Sequence, residues 1–219
     1  MHHRKNTYHL PIAHEGIHFI LCGVVLMVAC LVVPRWVGAL TFGLYTLFAI
    51  WFFRDPERTP PPGDDLVLSP ADGRVVEVMR VEKAPYLDAP AIKVGIFMSP
   101  FDVHVNRAPV SGTVERVEYR RGAYIKADLE RASLVNEHNA VILRRDDGRR
   151  VMVVQVAGLV ARRIVCYLVA GDRTLAGARF GMIRFGSRVD VYMPLEALVS
   201  VKTGDKTIAG ETILARVPK

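Results

Sequence analysis

The sequence predicts a mainly β fold: a sandwich or barrel-like β-rich domain preceded by an N-terminal hydrophobic helical hairpin. Three observations carry this. The apolar excess of a chain that is 51% hydrophobic is concentrated between Ile17 and Phe53. Composition then breaks at Arg54-Asp55-Pro56, where a Pro-rich stretch begins. Beyond it, short runs rich in β-branched residues alternate with Gly, Pro and Asp turns, the pattern of many short strands.

Residues 1–16 form a polar tail with His2, His3, His9 and His14 beside Arg4 and Lys5. Its histidines lack partners at helix or strand spacing, so a solvated tail is expected there and no metal site. Residues 17–53 read as membrane-attachment helices, two apolar halves interrupted by Pro34-Arg35. Each half is slightly shorter than the ~20 residues of a spanning helix. Pro-Arg is a poor helix interior, which favours a tight hairpin over one kinked helix or a re-entrant pair. A buried hairpin of a soluble core is the alternative, but such long unbroken apolar runs are uncommon in a domain of this size. No small-residue cleavage site separates the halves, which argues against a removable signal peptide. Basic residues flank both ends, so the positive-inside rule places both on the cytoplasmic face of the cell (inner) membrane.

Pro56, Pro60, Pro61, Pro62 and Gly63 make residues 54–65 a stiff linker. Residues 66–219 are the expected β-rich domain. Strands are predicted over Arg74–Val81, Ala91–Met98, Gly112–Tyr119, Ala140–Leu143, Val151–Val156, Ile164–Tyr167, Ser187–Tyr192 and Leu198–Val201. No sequence repeat stands out. Cys22, Cys30 and Cys166 show no disulfide or metal-site spacing. The net charge of +7 suits an anionic partner. With an apolar segment beside it, a lipid surface is the simpler choice, and no nucleic-acid-binding signature accompanies it.

Five phrases bear on chemistry: Phe52-Phe53-Arg54-Asp55-Pro56-Glu57-Arg58, Ser69-Pro70-Ala71-Asp72-Gly73, Met98-Ser99-Pro100-Phe101-Asp102-Val103-His104-Val105-Asn106-Arg107-Ala108-Pro109, Asn136-Glu137-His138-Asn139 and Arg184-Phe185-Gly186-Ser187. Singly, each has a bland reading. Gly-Ser is an ordinary strand-entry turn, Asp72 before Gly73 a turn residue, and a histidine most often a satisfied structural group. In this order and spacing they resemble the short bacterial form of phosphatidylserine decarboxylase, from the apolar tract to the C-terminus.

The resemblance implies a pyruvoyl-dependent proenzyme that cuts itself between Gly186 and Ser187 into a β chain, 1–186, and an α chain, 187–219, held as a heterodimer. Ser187 would become a covalent pyruvoyl cofactor and form a Schiff base with the amine of phosphatidylserine, giving phosphatidylethanolamine and CO2. The residue types suit that chemistry: glycine lets an oxygen approach its carbonyl, and serine offers a nucleophile and then a β-leaving group. By the same resemblance, Asp72 matches the aspartate of the processing machinery and His104 a histidine of catalysis. Asp102 and His104, two apart, would share one face of a strand. Long-form relatives carry a second histidine where this chain has Arg107, so the processing base is either His104 serving both steps or His138 standing in. Asn136, Glu137 and Asn139 read as a polar loop without an assigned chemical role.

The tail from Val201 to Thr212 also looks like a half-barrel hairpin of lipoyl- and biotinyl-carrier domains, without their framed lysine. It implies shared β-architecture and no carrier function. Two other functions stand beside the lipid decarboxylase: a pyruvoyl enzyme for another headgroup or a soluble amino acid, and an inactive membrane-tethered β-domain. Higher oligomers are compatible with all three.

Overall fold

A computed structural model describes residues 11–124, 135–158, 163–184 and 187–218. The chain divides into two compact units, Met1–Glu57 and Arg58–Lys219.

The first unit is the expected hairpin. Helix α1 spans His14–Val32 and α2 spans Trp36–Phe52, with Pro34 between them. Pro34 cannot donate to a helix, and the Arg35 amide instead closes the turn on the Cys30 carbonyl at 2.7 Å. At the open end, Ile12 and Arg54 form an antiparallel bridge and the Ala13 amide donates to the Phe53 carbonyl at 2.8 Å. Glycines let the helices touch. A Cβ on Gly23 would lie 2.4 Å from Thr46 Oγ1, and one on Gly16 2.4 Å from Phe53 Cβ. Close approach at small residues is how helices associate where no hydrophobic drive separates them from solvent. The Thr46 hydroxyl donates to its own helix, to the Phe42 carbonyl at 2.7 Å, so no polar group is left facing outward there. Most outward residues are apolar and bare, Val37 being 81% exposed, with His18 and Thr41 among the exceptions. Helix α1 is long and apolar enough to cross a membrane, with a mean hydropathy of 2.3; α2 is apolar but shorter.

The second unit's described strands pair antiparallel, with one isolated parallel bridge joining Ala123 to Asn136. Its strands are β1 (Leu66–Leu68), β2 (Gly73–Val81), β3 (Ala91–Met98), β4 (Val105–Arg107), β5 (Gly112–Arg120), β6 (His138–Arg144), β7 (Arg150–Val156), β8 (Ile164–Cys166), β9 (Arg173–Thr174), β10 (Arg179–Ile183), β11 (Ser187–Met193), β12 (Leu198–Val199), β13 (Lys206–Thr207) and β14 (Ile213–Arg216). Eight form one sheet in the order β13-β2-β3-β11-β7-β6-β5-β9. Two three-stranded sheets, β1-β14-β12 and β4-β10-β8, accompany it. Val94, Ile96, Val141, Val153, Val189 and Val191 from one face of the large sheet make a core with Val67, Phe180, Ile183, Leu214 and Ala215 of the small ones. The opposite face carries Ala140, Ile142, Met152, Val154, Val156 and Tyr192, packed with Ala84, Tyr86 and Leu87. The central strands β6, β7 and β11 are therefore buried on both faces, which explains their near-continuous apolar runs.

One sequence expectation is overturned, since the domain does contain a repeat. Gly171-Asp172-Arg173-Thr174-Leu175-Ala176-Gly177 and Gly204-Asp205-Lys206-Thr207-Ile208-Ala209-Gly210 fold alike. The outer glycines of both are left-handed, with φ of 93° and 78° in the first and 98° and 77° in the second. Gly171 N–H donates to the Val114 carbonyl and Gly204 N–H to that of Val75, each at 2.8 Å. A register shift follows each contact, between Val114 and Arg116 and between Val75 and Glu77. The sheet order is itself symmetric about the β11–β7 pair: β2 answers to β5, β3 to β6, β13 to β9. Only the turns keep their residues, because their glycines are required by backbone conformation, while the strand bodies have diverged. So short a match hides in the sequence.

The glycine contact in the hairpin is testable. Gly23→Leu should force α1 and α2 apart at a cost of about 1–3 kcal/mol, lowering the first unit's unfolding midpoint in detergent, with a smaller loss for Gly23→Ala. An unchanged midpoint in both would show that the helices do not rely on this contact.

Candidate active site

Among the described residues of the second unit, the phrase that starts at Met98 meets Ser187 at one end of the large sheet, where β3 ends and β11 begins. Ser187 is the first residue of β11, fully buried and in register with Met98, the last of β3. Its hydroxyl donates to Met98 Sδ at 3.5 Å. Gly186 and Phe185 lie outside the described residues.

A chain of neutral side chains runs from Ser187 across the same face. Asn106 Nδ2 donates to Met98 Sδ at 3.7 Å, Gln155 Nε2 to Asn106 Oδ1 at 2.9 Å, and Asn139 Nδ2 to Gln155 Oε1 at 3.1 Å. Asn106 and Gln155 are fully buried and Asn139 nearly so. Sequence reasoning did not single out Gln155. Its signal was one amide inside the otherwise apolar run of β7, which in a strand buried on both faces must meet a partner. Cys166 borders this group, and burial pushes its thiol above the ordinary value.

His104 enters from the segment before β4 and is fully buried. Asp102 and His104 do not share a strand face as expected: they lie in a turn and extended link ahead of β4. The Asp102 carboxylate accepts from the Ser99 amide at 2.8 Å, which closes the turn. Its carbonyl lies 2.9 Å from His104 Nδ1. A carbonyl can only accept, so Nδ1 carries the proton and the lone pair of the neutral ring is on Nε2. This is the tautomer a base requires.

His138 is placed differently. It pairs with Val156, and Val156 with Arg188, on the sheet face opposite to Ser187 and Met98. Its Nδ1 meets the Asn136 carbonyl at 2.7 Å and its Nε2 the Tyr86 hydroxyl at 2.7 Å, so both ring nitrogens are engaged away from the serine. Tyr86 itself has a positive φ of 62°.

Asp72 sits in the turn leading into β2. Arg58 Nη2 donates to its Oδ2 at 2.9 Å and the Ala209 amide to its Oδ1 at 2.7 Å. The other half of the domain repeats the second contact with a different residue, the Ala176 amide donating to Ser111 Oγ at 2.9 Å. Capping this turn needs only an oxygen, and a hydroxyl suffices in the other copy. At Asp72 the cap is a carboxylate, whose second oxygen pairs with Arg58. Arg107 is buried and structural. Its Nη1 donates to the Gly177 carbonyl at 3.0 Å, and a Cβ on Gly210 would fall 2.9 Å from its Cδ. It braces the two repeated turns, and a guanidinium cannot serve as a base. Among the described residues, no group of three or more His, Cys, Asp or Glu is placed to hold a metal ion.

The phosphatidylserine decarboxylase family profile matches residues 45–215. A phosphatidylserine decarboxylase proenzyme of Ralstonia nicotianae is 50% identical over 215 residues, covering 97% of this chain and 99% of the relative. Proteins of the same name are 46% identical in Magnetococcus marinus, over 94% of this chain and 95% of the relative, and 47% identical in Neisseria gonorrhoeae, over 96% and 80%. The matched region and the near-full-length identities show that the chain belongs to the phosphatidylserine decarboxylase family and is a decarboxylase.

Proposed function

We propose that the chain is a proenzyme that cuts itself between Gly186 and Ser187 and then decarboxylates phosphatidylserine to phosphatidylethanolamine at the cytoplasmic face of the cell membrane. The observation that carries the reading is the buried Ser187 at a strand start, linked through Met98 to a chain of neutral amides, together with a buried histidine in the tautomer of a base. In cleavage, Ser187 Oγ attacks the Gly186 carbonyl carbon while its proton passes through a base to the departing Ser187 nitrogen. The amide becomes an ester. Loss of the Ser187 α-proton then expels the Gly186 carboxylate, and water replaces the resulting enamine nitrogen, which leaves as ammonia. A pyruvoyl group remains on the chain that begins at 187.

The residues present fit that group. Ser187 is closed off from solvent, the amides linked to it through Met98 are neutral, and β11 has its own ladders to β3 and β7. Once formed, the pyruvoyl supplies a carbonyl to capture the substrate amine and an electron sink for the pair released with CO2. His104 Nε2 returns a proton to the carbon that lost CO2. Asn106 and Gln155 hold polar groups of the site in a fixed order, and burial keeps out the water that would compete. Asp72 supplies the carboxylate of the processing step, as the family resemblance implies.

Residues 17–53 act as the membrane attachment, 54–65 as linker and 66–219 as catalytic domain. Attachment suits this substrate. Each acyl CH2 taken from the bilayer costs ~0.8 kcal/mol, so two whole chains cannot be withdrawn for a headgroup site alone.

Intact mass of the purified protein should show two chains, 1–186 and 187–219, the second carrying the pyruvoyl cap. Ser187→Ala should stay whole, and a wild-type chain that is never cut would overturn the reading. His104→Ala should lower decarboxylation by ~10²–10⁴ in whatever fraction is cleaved, whereas His138→Ala should leave most of the activity. The reverse ranking would assign the chemistry to His138. Asp72→Ser should keep the turn, as Ser111 does in the other half, and lower the unfolding midpoint only by the loss of the Arg58 pair, yet slow cleavage at least ~100-fold. Cleavage at the wild-type rate would remove Asp72 from the machinery.

A further inference from the structure

We propose that Arg188 is a positioning residue, clamping the new end of β11 so that the group at position 187 keeps its place after the preceding bond is cut. The inference rests on the cleavage reading above. Ser187 is laddered to β3 alone. Arg188 is the first residue of β11 in register with both neighbours, Phe97 of β3 and Val156 of β7. Its side chain lies on the face away from the serine and is 1% exposed. Arg188 Nε donates to Asp190 Oδ1 at 2.5 Å and its Nη2 to Glu77 Oε2. Lys93 completes the group, 3.2 Å from Glu77 and 3.6 Å from Asp190.

Two features of the backbone serve this cluster. A Cβ on Gly95 would lie 2.2 Å from Arg188 Nη2, so the guanidinium crosses β3 only because that residue is glycine. The register shift between Val75 and Glu77 brings the Glu77 carboxylate to its far side. Burial disfavours the charged form of Glu77, but hydrogen bonding to Arg188 and the charges of Lys93 and Arg188 hold its carboxyl below the ordinary 4.5. The arm is thus ionised above that pH and is lost only as pH falls through the lower folded value.

Net stability does not explain three buried charges and a half-buried fourth, because desolvation offsets most of their attraction and apolar replacements often do as well. Position does. A strand whose covalent link is gone can fray or slip, and each slip of Arg188 would leave a buried charge uncompensated. The clamp sits one residue from the end that cleavage frees, where such a penalty acts directly on the reacting group.

The test uses Arg188→Met and Arg188→Lys in the full chain, each also combined with Ser187→Ala to give an uncut counterpart. Arg188→Met should still be cut and capped, by intact mass, while kcat on phosphatidylserine falls at least ~10-fold and KM stays within ~2-fold. Amide exchange at Val189 and Asp190 should quicken in the cut Arg188→Met chain and not in its uncut counterpart. Arg188→Lys, with one donor head in place of the fork, should restore part of kcat. Should Arg188→Met not fold, Glu77→Gln removes one arm and should shift kcat and exchange in the same direction. Unchanged kcat in the cut variant, or exchange that quickens equally in cut and uncut chains, overturns the clamp alone. An uncut wild type overturns the cleavage reading and the clamp with it.

Discussion

The antiparallel seating of β11 between β3 and β7 is the constraint on which the rest of the domain depends. It joins the two halves of the large sheet, buries seven consecutive residues, and sets Ser187 against Met98 at the sheet's end. Because side chains alternate along a strand, that one register sends Ser187 toward the amide network and Arg188 toward the ion cluster. A shift by one residue would exchange the two environments and put a guanidinium among Asn106, Gln155 and Met98.

Much of this was legible in the sequence. Strand β3 was predicted with its observed ends, and β2, β5, β7 and β11 within a residue or so at either end, because their β-branched runs are bounded by turn residues. The hairpin was visible in its apolar halves and Pro34. Strands β1, β4, β9, β10, β13 and β14 were not seen. Val105–Arg107 is too short to show a period, and Arg179–Ile183 holds a glycine where the Val165 carbonyl would lie 2.2 Å from a Cβ. Of the site, the family motifs named Ser187, His104 and Asp72. They could not reveal that His138 belongs to the other face, since that depends on register two strands away. Nor could they give Arg107 a role, which comes from two turns distant in sequence.

The two halves show how one scaffold separates structure from chemistry. Each half caps its Ala-Gly turn from a residue just ahead of a glycine, Asp72 before Gly73 and Ser111 before Gly112. Beside Asp72, β3 ends in Met98 next to the serine. Beside Ser111, a cavity of about 560 Å3 is lined by Asp64, Arg145, Asp147 and Arg149. There Arg145 and Arg149 lie 3.0 and 2.8 Å from Asp147 and, despite its partial burial, hold its carboxyl down at about 2. One half thus links neutral amides to Ser187 through Met98, and the other ties opposite charges together around Asp147.

Interleaving of the strands has a further consequence. Residues after 186 supply β11 at the centre of the large sheet, β13 at its edge, and β12 and β14 in a small sheet with β1. A chain starting at 187 would be woven into three places at once, with no single surface along which to peel away. Its partnership with the longer chain would behave like a closed knot of noncovalent ladders, indifferent to dilution and to exchange between molecules. Separately made pieces would have to fold together to acquire it.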